Sequence, residues 1–234
     1  MNGFRIFIGY DPREEIAYKV ARHTLLERST IPLDIQPVVQ SELRRLGLYT
    51  RDRDPLSSTE FSFTRFLVPH LAGYKGWALF VDCDFLFRKD IAEILEYTDL
   101  NKAVMVVKHD YTPTEETKMD GCKQTVYPKK NWSSCILWNC EAEESKALTP
   151  EIVNIQSGMY LHQFKWIPDP SRIGSLPVKF NYLEGWYGPG DEPDPVAVHF
   201  TRGGPWFPEW QDVEYKSEWN QAATRVMQGE REGQ

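Results

Sequence analysis

Two aspartates one residue apart follow a run of five apolar residues in Trp77-Ala-Leu-Phe-Val-Asp82-Cys83-Asp84. A continuous apolar run of that length suits a strand buried on both faces. Side chains alternate along an extended chain, so Asp82 and Asp84 point one way and Cys83 the other. In an open α/β sheet, ligands bind just beyond the carboxyl ends of such strands. Two carboxylates there suit a hard divalent cation, with coordination positions left for phosphate oxygens. The competing reading is a pair that caps the following helix. Spacing alone does not decide, because Asp52-Arg53-Asp54 repeats it. No buried strand leads into that copy, and it reads as solvated loop.

A second short apolar run, Val196-Ala-Val, delivers His199 and then Arg202-Gly203-Gly204-Pro205-Trp206. The histidine is either a hydrogen-bonded structural residue or a ligand. The amides of a Gly-Gly turn can approach a phosphate closely, and Arg202 offers it a permanent charge. The alternatives are a plain tight turn and, for Trp206, a core aromatic. With a loop before it (186–195) and the glycines after it, segment 199–206 is expected to close over a bound diphosphate.

These residues need a sheet with helices to position them. Apolar runs at 4–8, 33–39, 77–81, 103–107, 135–138 and 196–198 read as strands. Pro37 makes the second irregular or an edge strand. Helical patterns fall at about 13–27, at Phe63, Phe66, Leu67 and Leu71, at Ile91, Ile94 and Leu95, after Thr149-Pro150, and at 219–228. Ser57 and Glu60 have the spacing of a capping box for the second of these. The alternation predicts an α/β fold in a single domain over 1–228, followed by a polar tail, 229–234.

Composition narrows the function. The 234 residues include 27 basic and 34 acidic ones, for a net charge of −7, a poor match to nucleic acid or an anionic membrane. The 8 Trp, 11 Tyr and 12 Phe supply a full core, with surplus suited to stacking on flat rings or sugars. Cys83, Cys122, Cys135 and Cys140 form no C-x-x-C pair, which leaves free thiols rather than a zinc cluster. No apolar run approaches the length of a membrane span, and Met1-Asn2-Gly3 leads straight into a strand without a leader. The expectation is a soluble, cytoplasmic protein, with peripheral membrane contact left open.

Taken together, the two segments resemble the GT-A glycosyltransferases, and more closely glycosyltransferase family eight. Trp77 to Phe87 is similar to that family's Asp-x-Asp strand, and His199 to Trp206 to a shortened form of its late His-x-x-Gly-x-x-Lys-Pro-Trp block. Ser58 to Leu67 resembles the helix whose arginine, here Arg65, lies near the nucleotide and donor sugar. Asn131 to Asn139 resembles the strand entered through an Asn-Ala-Gly turn, and Phe7 to Asp11, with Tyr10 and Asp11, the nucleotide-binding first strand.

The resemblance implies a Rossmann-like mixed sheet flanked by helices. It implies a metal held by Asp82, Asp84 and His199, a nucleotide-sugar donor (a UDP-sugar), and retention at the anomeric carbon. The mixed carboxylate and imidazole set favours Mn²⁺ over Mg²⁺. The acceptor, whether carbohydrate, lipid or small molecule, is unspecified. Three features depart from the pattern. At the Asn-Ala-Gly-like turn, Trp132-Ser133-Ser134 stands in register, with Asn131 one place early. Gly204 stands in place of the family's lysine, leaving Arg202 to supply the charge. No Asp-Gln-Asp-like block follows Asn139, so Glu184 and Asp110 are the substitute carboxylates for catalysis. The alternatives are a sugar nucleotidyltransferase and a non-catalytic sugar- or nucleotide-sugar-binding protein.

Overall fold

A computed structural model describes residues 3–52, 57–110, 128–188 and 190–232. The first apolar run continues two residues past Ile8 as β1 (Phe4–Tyr10). It gives way at Asp11 to a 3-10 turn and then α1 (Glu15–Arg28). The α1 residues that face inward are Ala17, Val20, Ala21, Thr24 and Leu25, whereas Leu26 is largely exposed. Among the described residues β2 (Leu33–Val39) pairs only with β1, so Pro37 lies on an edge there, where its missing N–H disturbs no second ladder.

After α2 (Gln40–Arg45) the chain departs from expectation. The Ser57/Glu60 box caps no helix, because the Glu60 N–H is taken by Asp11 Oδ2 at 3.1 Å and Ser62 Oγ donates to the Thr59 carbonyl. Phe63, Phe66 and Leu67 therefore ride on turns and a 3-10 segment, Thr64–Leu67. Pro69, which lacks an N–H, sits at the start of the short α3 (Val68–Leu71).

β3 (Trp77–Val81) is followed at once by β4 (Phe85–Phe87), a strand not anticipated from the sequence. Residues Ile91–Tyr97 form a 3-10 helix capped by Asp90. Then come β5 (Val104–Val106), β6 (Cys135–Asn139) and α4 (Glu143–Ala147). Thr149 caps α5 (Pro150–Ile155), as expected, and Ser157 caps α6 (Gly158–His162). β7 (Ile173–Ser175), β8 (Tyr182–Leu183) and β9 (Ala197–His199) precede α7 (Lys216–Glu232). That last helix runs on through Gly229, so residues 229–232 of the expected tail are helical. No helix among the described residues is long and apolar enough to cross a membrane.

The six-stranded sheet has the order β2-β1-β3-β6-β5-β7, with only β6 antiparallel to the rest. The carboxyl ends of β1, β3 and β5 and the entry to β6 therefore share one end of the sheet. That end carries Tyr10, Asp82, His109 and Asn131. Its interior is fully apolar, with Ile6, Phe80, Leu137, Trp138 and Val104 all buried. A smaller sheet, β4-β9-β8, packs with α1 and α7 into a second cluster around Tyr182, Val198, Phe200 and Trp219.

Cys83, Cys135 and Cys140 are free and buried, while Cys122 lies outside the described residues. Burial pushes all three thiols up, Cys140 to about 12. None of the three should react with iodoacetamide in the native protein at mildly alkaline pH. All should react once the chain is denatured without reductant. Intact-mass analysis checks this, and a native mass two hydrogens short would reveal a disulfide instead.

Candidate metal centre

Asp82 ends the main sheet's β3, and Asp84 begins the crossing into β4. The two carboxylates and His199 bring one ligand atom each to within 4.8 Å of one another. This convergence depends on the small sheet. β4 pairs antiparallel with β9 in the register Phe85↔His199, and the Phe200 N–H donates to the Asp84 carbonyl at 2.9 Å. His199 Nε2 then lies 3.3 Å from Asp84 Oδ2, and the Phe85 ring stacks on the imidazole at 4.6 Å. His199 is the last residue of β9 rather than the residue after a strand. It is 1% exposed.

Asn181, which no motif pointed to, fixes the imidazole tautomer. Its Nδ2 donates to Ser134 Oγ at 2.9 Å and towards the Asn131 carbonyl at 3.4 Å, so its Oδ1 is the atom facing His199 Nδ1 at 3.0 Å. A carbonyl oxygen only accepts, so Nδ1 carries the hydrogen and the Nε2 lone pair points to the carboxylates. A ligating histidine with its other ring nitrogen held in this way is the usual arrangement at metals. Two carboxylates and a lone-pair nitrogen suit a divalent cation of the Mn²⁺ type.

The surrounding charge also favours a cation. Cys83 turns away from the pair and sits 3.8 Å from the buried Glu14 carboxyl. Burial, and then the neighbouring Asp84, Asp11 and Asp82, push Glu14 up to about 9. Glu14 thus holds its proton at neutral pH, and nothing in the sequence marks it, since Asp82, Cys83 and Asp84 come from a distant segment.

A carboxyl whose folded pKa exceeds its unfolded value stabilises the fold fully at low pH. That stability falls as pH climbs from about 4.5 to about 9, by up to about 1.4 kcal/mol per pH unit. In metal-free protein, Glu14→Gln should therefore raise the melting temperature at pH 8 and change it little at pH 5. Equal shifts at both pH values would refute this.

The other expected site residues divide into two groups. Arg65 reaches the centre as the partner of Asp82: its NH1 lies 2.8 Å from Asp82 Oδ1 and also donates to the Ser133 carbonyl at 2.8 Å. Asn131 enters the turn before β6 in the left-handed region, at φ 62°, and accepts from Thr201 Oγ1 at 3.4 Å. Its Nδ2 is buried with no partner among the described residues. Tyr10, half-buried at the end of β1, packs edge-on against Tyr18.

Asp11 is enclosed by protein donors, namely the Arg13 N–H and guanidinium and the Glu60 N–H. Although burial opposes ionisation, these bonds and the Arg13 charge hold its carboxyl below the usual range.

The late block is engaged with other parts of the chain. Arg202 NH2 pairs with Glu184 Oε2 at 3.1 Å, and Glu184 also accepts from the Glu214 N–H at 3.2 Å. Thus the expected phosphate cation and one expected catalytic carboxylate are paired with each other. Gly203 has φ +139°, and a Cβ there would lie 2.3 Å from the Trp210 indole nitrogen. At Gly204 a Cβ would lie 2.0 Å from the Trp206 ring. Close approach of two tryptophans accounts for both glycines. Far from being a loose flap, the segment is packed: Phe200, Thr201, Gly203, Gly204 and Pro205 are all buried. Asp110 is exposed. In the rejected copy, Asp52 is likewise exposed, and Arg53 and Asp54 lie outside the described residues.

A mixed sheet flanked by helices, with Asp-x-Asp at the end of a central strand, defines a GT-A glycosyltransferase fold. Among solved structures the chain is similar to the bifunctional glycosyltransferase WbbM (TM-score 0.67, 14% identity, 97% of this chain and 51% of that one). It is also similar to the glycosyltransferase GlyE of Streptococcus pneumoniae (TM-score 0.63, 13% identity, 100% and 64%). A third is the galactosyltransferase LgtC, solved with donor and acceptor sugar analogues (TM-score 0.57, 11% identity, 95% and 96%). The chain thus spans about half of WbbM and under two thirds of GlyE. No family model matches it. It belongs to the family of Protein CDI of Arabidopsis thaliana, to which it is 56% identical over 220 residues, covering 92% of this chain and 84% of that protein.

Proposed function

We propose that the protein is a metal-dependent glycosyltransferase that moves a hexose from a nucleotide diphosphate sugar, a UDP-sugar, to an acceptor. The observation that carries this reading is the convergence of Asp82, Asp84 and His199 at the carboxyl end of β3. The order of the five blocks that resemble family eight and the likeness to GT-A folds support it. Asp82, Asp84 and His199 would hold Mn²⁺, which when bound supplies Lewis-acid stabilisation to the departing diphosphate.

The chain's own residues do the rest. Asn181 keeps the Nε2 lone pair of His199 directed at the cation, and Arg65 holds Asp82 in place. Tyr10 lies on the nucleotide side of the site, with Asp11 acting through the loop it clamps. The Asn131 amide offers an uncommitted donor to the bound diphosphate sugar. Arg202, with Gly203 and Gly204, follows His199 along the chain, and its charge is divided between Glu184 and the phosphate. With Glu184 matched by Arg202, Asp110 is the remaining carboxylate for the transferred carbon, and it must turn in from its exposed position to reach it. Retention follows the resembled family.

Calorimetric titration with nucleoside diphosphates and their sugars, with and without Mn²⁺, tests the reading. Binding that requires the metal, together with slow release of UDP when no acceptor is present, is the expected result. Sugar binding indifferent to metal would favour a carbohydrate-binding protein instead. Proton NMR of the earliest glycoside tests retention.

A further inference from the structure

We infer that His109 donates a hydrogen bond to the sugar of the bound nucleotide sugar, an assignment that rests on the function proposed above and deepens it. The sequence pointed to Asp110 in this segment, but the extended backbone past β5 alternates. Val107 is buried, Lys108 exposed, His109 buried and Asp110 exposed. His109, at 5% exposure, is therefore the residue turned inward.

Two contacts seat it. Its carbonyl accepts from Trp132 Nε1 at 2.9 Å, and its Nδ1 lies 2.8 Å from the Tyr187 hydroxyl. Its Nε2 is buried and meets no partner among the described residues, as is true of Asn131 Nδ2 on the adjoining turn. Other buried nitrogens also lack a partner among the described residues, but these two sit at the end of the sheet that carries the metal centre, and that shared position points to a ligand that completes them.

The hydrogen on Nε2 follows from its neighbours. Burial, with His199 nearby, keeps the imidazole neutral, its pKa pushed down to about 3, and burial raises the Tyr187 phenol to about 12. Between two neutral groups the phenol is the better donor, so Tyr187 donates to Nδ1 and Nε2 carries the N–H.

Strand order then identifies the part of the ligand it meets. β1 and β5 lie on opposite sides of β3. With the nucleotide beside Tyr10 after β1 and the diphosphate at the metal after β3, the group that extends towards β5 is the sugar. A neutral donor suits its hydroxyls.

The test is calorimetric titration of the full chain with Mn²⁺, using UDP, GDP, UDP-glucose, UDP-galactose and GDP-mannose. His109→Phe keeps an aromatic ring but removes both nitrogens. It should weaken the sugar conjugate that the wild type binds by about fivefold or more, while affinity for the free diphosphate changes less than about twofold. His109→Gln, which returns an N–H donor, should recover most of the loss. Tyr187→Phe, which frees the ring to turn, should show a smaller loss of the same kind, and this variant carries the test if His109→Phe does not fold. Unchanged affinity for the conjugate, or equal losses for conjugate and diphosphate, would overturn the assignment and leave the glycosyltransferase reading intact. A wild type that binds none of the five with Mn²⁺ overturns that reading, and the role of His109 with it.

Discussion

Asp84→Asn is expected to remove metal-dependent nucleotide-sugar binding and to cut turnover at least about a hundredfold, equivalent to about 2.7 kcal/mol of transition-state stabilisation. The carboxylate is one of three groups whose ligand atoms lie within 4.8 Å of one another. An amide in its place keeps the volume but not the charge that holds a cation. Metal-free Asp84→Asn protein should be as stable as the wild type or more so, because the Asp11 and Asp82 carboxylates crowd the same region and repel it, and Glu14 stays protonated there for the same reason. Activity and stability therefore move independently, which a folding defect cannot imitate.

Asp82→Asn should abolish binding as well, yet at a cost in stability, since it strips a buried Arg65 of its charged partner. Asp52→Asn, on the exposed copy of the motif, should change neither property. Calorimetry with Mn²⁺ alone and thermal denaturation with chelator are the measurements. Wild-type metal affinity in Asp84→Asn, or equal loss in Asp52→Asn, would remove the carboxylate pair from the centre.

His199→Ala should carry the second large effect: loss of metal and nucleotide binding together, and destabilisation by about 2–4 kcal/mol from the buried cavity it leaves. The ring is stacked on Phe85 and bonded to Asn181, so both packing and a hydrogen bond disappear. Asn181→Ala separates the two contributions. It leaves the ligand in place but releases the tautomer, and a change of this kind next to a metal ligand costs about 10–100-fold in affinity. Electron paramagnetic resonance of Mn²⁺ titrations reads both variants. Intact metal binding in His199→Ala, with only stability lowered, would make His199 a structural histidine.

Much of the centre is legible in the sequence because it sits at the ends of strongly apolar runs. Trp77–Val81 announces itself as a buried strand, and the pair that follows it is placed at the strand's carboxyl end without any tertiary information. Cys135 opens another such run and is buried accordingly, and Cys83 is buried because alternation turns it away from the two aspartates. The edge position of Pro37 and the Thr149-Pro150 helix start are equally local, each set by the chemistry of one or two residues.

What stayed hidden depends on contacts between distant segments. The Ser57/Glu60 spacing is a sound local signal, yet Asp11, 49 residues earlier, takes the Glu60 N–H. Arg202 and Gly203-Gly204 have the right types for a phosphate, but Glu184 and two tryptophans engage them first. Strand β4 is too short to stand out by composition, although its pairing with β9 is what brings His199 to Asp84.

The sequence by itself therefore determined the layers of the fold, the carboxylate pair and the types of chemistry on offer, because apolar periodicity and strand ends are properties of neighbouring residues. Only the tertiary structure decided which partners those groups take. It tied Glu184 to Arg202, gave His199 its tautomer through Asn181, and turned His109 inward in place of Asp110. Charge pairing, burial and hydrogen-bond partners are set by residues far apart along the chain, and no local spacing encodes them.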